Sequence, residues 1–253
     1  MMRNIALFIV LLSSVMSAQT STDLFEKANN LYRQNKYEDA LDLYEKIKIK
    51  NDISSELYFN IANCYYKLNK VAPSIYNYEL ALLINPSNKD AKNNLTIAHK
   101  LTLDRIEPLP QNVFEKFSSN FLNSLHYDTW AFVVVIFSII TSLFFILFYL
   151  SRDSLKKRIY FSISILNLLL LIFSIVITFH QFNEFHNVKH AIIYSNEISI
   201  KNAPNLSSDD VFLLHEGTKV SVIDSVDEWN RIRLIDGKTG WIQNQNIKII
   251  GKF

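Results

Sequence analysis

The chain has 253 residues, of which 49% are hydrophobic, and its 26 basic and 24 acidic residues leave a net charge of +2. Residues 19–127 hold 13 basic and 13 acidic groups, and residues 180–253 hold 8 and 9, so neither segment carries the surplus. A nucleic-acid partner is therefore not expected, because it would need a basic patch on a folded domain.

The single cysteine, Cys64, excludes an intramolecular disulfide and is read as a packing residue, with an intermolecular disulfide as the alternative.

Residues 1–18 are predicted to be a secretory signal peptide. Arg3 supplies an early positive charge, an apolar stretch follows over residues 5–15, and small residues lead to Ala18. Such a stretch is too short to span a membrane and has the length of an export signal. Cleavage after Ala18 would export the segment that follows, and the lack of a cysteine at the junction argues against a lipoprotein signal.

Residues 19–107 contain an internal repeat. The stretch EKANNLYRQNKYEDALDLYEKI (26–47) aligns with NIANCYYKLNKVAPSIYNYELA (60–81), so that alanines and tyrosines fall at equal positions. This pattern, with its period of about 34 residues, resembles the tetratricopeptide repeat, which implies antiparallel helix pairs that stack into an all-α solenoid. A third periodic stretch over 90–101 is predicted to be a partial repeat or a closing helix.

In tetratricopeptide repeats the first helix of each pair lines the concave face, and this resemblance predicts a peptide-binding groove. Paired asparagine amides can hold a peptide backbone or a carboxylate, and Arg33 and Lys67 can add charge-assisted hydrogen bonds. Alternatively, several of the aromatic members are simply core between repeats. The groove residues are Phe25, Asn29, Tyr32, Arg33, Phe59, Asn63, Tyr66 and Lys67.

Residues 108–129 are predicted to form an amphipathic connector. Pro108 and Pro110 end the preceding helix, and Phe114, Phe117 and Phe121 then fall on one helical face. Such a helix can lie on the outer surface of a bilayer. The pattern allows packing against the repeats equally well.

Two apolar runs, 130–150 and 159–180, are predicted to be transmembrane helices. Neither 131–150 nor 159–179 contains a charged residue, and roughly 20 apolar residues are needed to cross a hydrocarbon core. The sequence therefore predicts a multi-pass protein of a bacterial inner membrane, with the lipid bilayer as one of its partners.

The loop between the two runs, 151–158, predicts the orientation. Short loops rich in lysine and arginine stay in the cytoplasm, so both flanking segments are predicted on the outer, periplasmic face. The export signal predicts the same side. The basic residues of this loop are Arg152, Lys156, Lys157 and Arg158.

The sequence contains no phosphate-binding loop, no serine-nucleophile motif and no paired cysteines, so no enzyme activity, cofactor or metal is expected. One cluster, His180, Glu184, His186 and His190, lies beside the second apolar run. His186 and His190 are four residues apart and would share a helix face, as zinc ligands can. No second carboxylate or cysteine supports such a site, and histidines beside phenylalanine at a membrane interface are common.

Residues 181–253 are predicted to be a short linker and a small β domain. From Ala191 the pattern changes to short β-rich runs, and Asp236-Gly237 predicts a hairpin turn between two of them. Their order resembles bacterial SH3 domains, most specifically in the run Gly-x-x-Gly-Trp (237–241), which implies a small all-β barrel. Trp229 and Trp241 are expected in its core and rim, and Lys201 and Ala203 replace the arginine and glycine usual in the family. The residues that carry the match are Pro204, Gly217, Val220, Val222, Trp229, Ile232, Leu234, Gly237, Gly240 and Trp241.

The whole order of segments resembles the BatE proteins of the Bacteroides aerotolerance operon. That resemblance implies an envelope scaffold that acts with von Willebrand A-domain membrane proteins and a MoxR-type ATPase system. The function expected is a non-enzymatic assembly protein that binds partners through the exported repeats. The alternative is cell-wall (peptidoglycan) binding or sensing through the SH3-like domain. An eight-residue cytoplasmic loop leaves little to signal with, which favours assembly.

Overall fold

The computed structural model describes residues 21–110, 127–187 and 189–251, without the side chains of 127 and 184–187. These residues form two compact units. The first joins the part of the chain up to Leu109 to the part from Lys189 onward, and the second contains the residues between. The predicted signal peptide, 1–18, and most of the predicted connector, 108–129, lie outside the described residues.

The N-terminal part of the first unit is helical. Each helix packs against the next along the chain, as α2 does on α3, α3 on α4 and α4 on α5. Side-chain caps begin two of them, because Ser54 accepts a hydrogen bond from Leu57 N and Asn88 from Ala91 N. The helices are α1 (21–33), α2 (Tyr37–Ile49), α3 (Ser55–Lys67), α4 (Val71–Ile84) and α5 (Lys89–Ala98), which a 3₁₀ turn (His99–Leu101) follows.

The turn between α1 and α2 recurs between α3 and α4, at the position that the sequence repeat predicts. Asn35 and Asn69 occupy the left-handed region, with φ of 60° and 57°. Lys36 N donates to Leu31 O at 3.0 Å, and its counterpart Lys70 N donates to Tyr65 O at 2.9 Å. Asparagine tolerates this conformation at the end of a helix. The sequence repeat is thus also a repeat of backbone geometry.

Small side chains let these helices approach closely. Ala28, Ala40 and Ala62 are fully buried, and Ser74, which stands where the first pair has Ala40, donates from Oγ to the Ala62 carbonyl at 3.0 Å. Cys64 is also fully buried, and burial raises its pKa to about 12, as expected for a packing residue. That the helix pairs belong to the tetratricopeptide class stays a prediction.

The C-terminal part of the first unit is an antiparallel sheet of seven strands in the order β3-β2-β6-β5-β4-β1-β7. Alternate residues face its core, among them Ile200, Ile232 and Ile242. The strands are β1 (Lys189–Ile193), β2 (Glu197–Lys201), β3 (Asp210–His215), β4 (Lys219–Val226), β5 (Trp229–Arg233), β6 (Thr239–Gln243) and β7 (Ile247–Ile249).

Glycines of the predicted SH3-like motif occupy positions that a side chain would disturb. Gly237 lies in the β5–β6 turn with φ of 89°, and its N–H donates to Leu234 O at 3.0 Å. A Cβ at Gly240 would overlap the side chain of Ile200. The predicted turn at Asp236-Gly237 therefore joins the two strands as expected.

The helical part and the sheet share a junction, although the sequence predicts them as separate domains. Ile192 of β1 is fully buried in the core of the helical part. Glu79 of α4 pairs with Lys219 of β4 at 2.7 Å, and the rings of Tyr76 and Tyr194 meet edge to face at 6.0 Å. Buried apolar contact and paired charge thus hold the two parts in one unit.

The second unit consists of two long helices, α6 (Tyr127–Leu150) and α7 (Ser154–Asn187). Residues 128–150 and 154–183 are long and apolar enough to cross a membrane, and an 18-residue stretch of each has a mean hydropathy of 2.9 and 2.5, respectively. The helices contact each other through aromatic pairs such as Phe148 and Phe161, whose ring centroids are 5.3 Å apart. Many of their apolar side chains point outward, as lipid-facing residues do.

The predicted loop 151–158 is shorter in the structure. Only Ser151–Asp153 lie between the two helices. Asp153 caps the start of α7, where it accepts a hydrogen bond from Leu155 N at 2.8 Å. Three of the four basic residues therefore lie in the first turns of α7.

Candidate functional site

The first helices of the pairs, α1, α3 and α5, lie side by side and are joined through asparagine side chains. Asn60 Nδ2 of α3 donates to Asn29 Oδ1 of α1 at 3.1 Å, and Tyr44 OH of α2 donates to the same oxygen at 2.5 Å. Both bonds recur at the equivalent positions further along the chain, where the corresponding residues are Asn94, Asn63 and Tyr78.

These internal bonds determine what the predicted groove can offer a ligand. The amide oxygens of Asn29 and Asn63 each accept two hydrogen bonds and are fully used. Their Nδ2 groups have no partner among the described residues. Each asparagine can therefore only donate, so the surface favours a ligand with acceptors, such as a carboxylate or a peptide carbonyl.

The aromatic residues of the predicted groove are part core and part surface. Phe25 packs edge to face on Tyr44, with ring centroids 5.7 Å apart, and Phe59 packs on Tyr78 at 6.0 Å. All four aromatic members, Tyr32 and Tyr66 included, are half-buried and contact the helical core. Each ring thus serves the packing between helices and remains partly exposed.

The basic residues of the predicted groove are exposed. Arg33 and Lys67 lie in the last turns of α1 and α3, at equivalent positions of the repeat. Arg33 Nε donates to Asn29 O in its own helix at 3.3 Å. Cations are also favourable at helix C-termini, so these positions do not by themselves require a ligand. Together with the asparagine amides they supply hydrogen-bond donors at equivalent positions of the two helices.

The tryptophans of the SH3-like motif lie on the outer face of the sheet. Strand register pairs Trp241 with Arg231 on one side and Lys201 on the other, and pairs Trp229 with Gln243. Residues that oppose each other share a face. Both tryptophans are half-buried and lie outside the core cluster, so the expected core position is wrong for Trp229.

The other motif residues divide between surface and junction. Pro204 is exposed in the connection from β2 to β3. Gly217 has φ of 85° and packs against α4, where a Cβ would come within 3.0 Å of Ile75 Cδ1. Gly217 therefore allows the sheet to approach the helices closely.

The structure also shows contacts that the sequence did not predict, which are made by the linker segment, residues 104–109. Asp104 Oδ2 accepts hydrogen bonds from His215 N at 2.7 Å and Thr218 Oγ1 at 2.6 Å, and Oδ1 lies 2.7 Å from His215 Nδ1. Burial opposes ionisation of Asp104, but the bonds from Thr218 and His215 outweigh it and lower its pKa. In turn, the hydrogen bond that the His215 ring donates to Asp104 raises the pKa of His215.

The histidine cluster offers no metal site in the described part of the chain. His190 lies in β1 with Nδ1 3.3 Å from Ser221 Oγ, and burial lowers its pKa. The side chains of Glu184 and His186 are outside the described residues. Within those residues, no group of three or more histidine, cysteine, aspartate or glutamate side chains could hold a metal ion.

Comparison with known families identifies one part of the chain. Residues 197–248, from β2 to β7, match the family model described as Bacterial SH3 domain. The predicted SH3-like domain is confirmed over these residues. No curated protein matches the chain.

Proposed function

We propose that the chain is a non-enzymatic scaffold of the bacterial envelope, which binds partner proteins through the surface formed by α1, α3 and α5. The observation that carries this proposal is a repeated pair of donors: the Nδ2 groups of Asn29 and Asn63 have no partner among the described residues and recur at equivalent positions beside Arg33 and Lys67. Such repetition suits an extended ligand that bears several acceptors.

A membrane hairpin supports this assignment. The segments before α6 and after α7 fold into one compact unit, so they must lie on the same side of any membrane that the two helices cross. Two crossings meet this condition. The basic residues between the helices favour a cytoplasmic loop, which leaves the first unit on the periplasmic face of the inner membrane.

The class of the helical part and the class of partner follow from resemblance. The recurring turns, alanines and asparagine bonds support tetratricopeptide repeats. The order of segments supports a BatE-like role, with von Willebrand A-domain membrane proteins and a MoxR-type ATPase system as partners. A carboxylate-bearing segment of such a protein is the ligand that the donors of Asn29, Asn63, Arg33 and Lys67 favour.

Charge removal tests the groove. The double variant Arg33→Gln, Lys67→Gln should lose most of the proteins that copurify after mild solubilisation, because charge-assisted bonds contribute about 1.5–3 kcal/mol each. Asn29→Asp with Asn63→Asp should do the same, since the carboxylate keeps the acceptor for tyrosine but repels an acidic ligand.

The matched control is Lys46→Gln, which removes an exposed charge from α2. It should leave the copurifying proteins unchanged. Equal recovery from the control and the groove variants, quantified by mass spectrometry, would refute binding through this surface.

Cell-wall binding is the second candidate, and the match to the bacterial SH3 family favours it. The half-buried Trp241, with Arg231 and Lys201 opposite it on the two neighbouring strands, would contact the sugar or peptide ligand. Sedimentation with purified peptidoglycan should then retain the wild-type chain and release Trp241→Ala. If copurification depends on the groove and the chain does not sediment with peptidoglycan, only the scaffold proposal remains.

A further inference from the structure

The linker segment crosses the SH3 domain as an extended peptide held at three points. Its first residue, Asp104, bonds to the end of β3 through His215 and to Thr218 just before β4. Its middle residue, Ile106, packs against the buried core of the sheet. Its last residue, Leu109, donates its backbone N–H to the Ile235 carbonyl at 3.3 Å.

Between these three contacts the linker segment covers a surface of the SH3 domain, which is called the slot below. β3 is the last strand at one edge, and the linker segment runs from it to the β5–β6 turn. A cavity of about 440 Å³ remains beside the linker segment. Residues 104–107 line this cavity on one side, and on the SH3 side it exposes the part of the slot formed by Phe212, Leu213, Leu214, Leu234, Asp236 and Lys238.

The contacts of the linker segment define the ligand that the slot accepts. They consist of one carboxylate, one branched aliphatic side chain two residues later, and one main-chain N–H three residues after that. None of them needs a helix or a partner from the helical part. Pro108 restricts the backbone of the segment to an extended form, which lowers the entropy lost on binding.

We propose that this slot is a peptide-binding surface of the SH3 domain, which the chain's own linker segment occupies. Its partner is an extended peptide of another protein with a carboxylate two residues before a branched aliphatic residue. Tethering gives the linker segment a high effective concentration, so a free peptide binds weakly until the segment is displaced. The surface is separate from the groove of α1 and α3.

A labelled peptide tests the proposal on the full chain in lipid nanodiscs. The probe is fluorescent TLDRIEPLP, the sequence of residues 102–110, and the control probe carries aspartate in place of isoleucine. The released variant, Asp104→Asn with Ile106→Ser, should bind the probe at least about tenfold more tightly than the wild type. The control probe should bind neither, because its charge would take the position of Ile106 against the apolar core of the sheet.

Leu103→Ser is the matched control variant. Leu103 adjoins the linker segment but is 73% exposed, so its loss should leave the affinity at the wild-type value. Hydrogen exchange should show that the bound probe protects β3 and the β5–β6 turn of the released variant.

Two results would overturn the proposal. One is a released variant that unfolds cooperatively in urea yet does not bind the probe. The other is equal binding of both probes, which would show that the segment is only a connection. If the released variant fails to fold, Ile106→Ala is tested instead, because it removes the apolar contact of the linker segment and keeps the hydrogen bonds of Asp104. It should then bind the probe roughly threefold more tightly than the wild type, and no gain would count against the slot.

Discussion

The helical part and the SH3 domain differ in how often each stabilising interaction occurs. In the helical part, the bond from Tyr44 to Asn29 and the left-handed turn at Asn35 both have counterparts in the following helix pair. In the SH3 domain, the positive-φ turns at Gly217 and Gly237 differ from each other, and neither is a copy of the other. A repeated interaction can thus be weakened in one copy and compared with the other, whereas a single interaction has no such internal reference.

The junction combines the two kinds of structure. Stacked helix pairs need a neighbour to cover the last apolar face. Here Ile192, Tyr194 and Ile250 from the C-terminal part pack against the helical core. The C-terminal part therefore has a structural role in addition to any ligand it binds, and its removal would expose helical core.

The largest expected effect is at the junction, which occurs once. Ile192→Asp would place an unpaired carboxylate among buried residues, and we expect it to lower the free energy of unfolding by roughly 3–5 kcal/mol. Urea unfolding of the detergent-solubilised chain measures this. Ile235→Asp is the control, since that side chain is 61% exposed and should lose little. Similar losses in both would mean that the junction is open in solution.

A smaller effect is expected at the single glycines. Gly217→Ala introduces a Cβ 2.8 Å from Thr102 Cγ2 and forces alanine to φ of 85°, which together should cost about 2 kcal/mol. Gly237→Ala meets a similar φ, but its Cβ would contact only Leu109 at 3.4 Å. It should therefore cost less in the same unfolding assay. A larger loss at Gly237 would contradict close packing of the SH3 domain on the helices.

The repeated tyrosines should give equal, moderate effects. Tyr44→Phe and Tyr78→Phe each remove one hydrogen bond to an asparagine oxygen, and each should cost about 1 kcal/mol. Native-state hydrogen exchange of the flanking helices can compare them. Losses that differ several-fold would show that the two copies are not equivalent.

The smallest effect concerns pH at the linker segment. The folded pKa of Asp104 is below its ordinary 3.8, so its contribution is lost as pH falls through that folded value. The folded pKa of His215 is above its ordinary 6.5, so its contribution is complete below 6.5 and lost as pH rises through the folded value. Glu197, 3.9 Å from His215 Nε2, acts in the same direction.

These signs place the strongest pairing between the ordinary pKa values of the two groups. The difference in urea midpoint between wild type and His215→Gln should therefore be larger at pH 5.5 than at pH 8.5. A difference that grows towards pH 8.5 would exclude the charged pair as its cause.

Local patterns in the sequence were enough for several features. The β-rich runs and the Gly-x-x-Gly-Trp segment predicted the SH3 domain, because turns with positive φ favour glycine. They could not assign Trp229 to a face, since alternation marks two faces without saying which one is inside. The sequence placed Asn29 and Asn63 at equivalent positions but did not reveal that Tyr44 and Tyr78 use their oxygens.

By itself, the sequence determined the apolar runs, the internal repeat and the SH3 motif, because each depends on residues close along the chain. Only the tertiary structure decided the junction and the linker segment. Asp104 meets His215 across 111 residues, and Ile192 enters a helical core that the distant N-terminal part of the chain forms. Such contacts depend on how complete surfaces fit together, and a single aspartate or isoleucine in the sequence carries no sign of its distant partner.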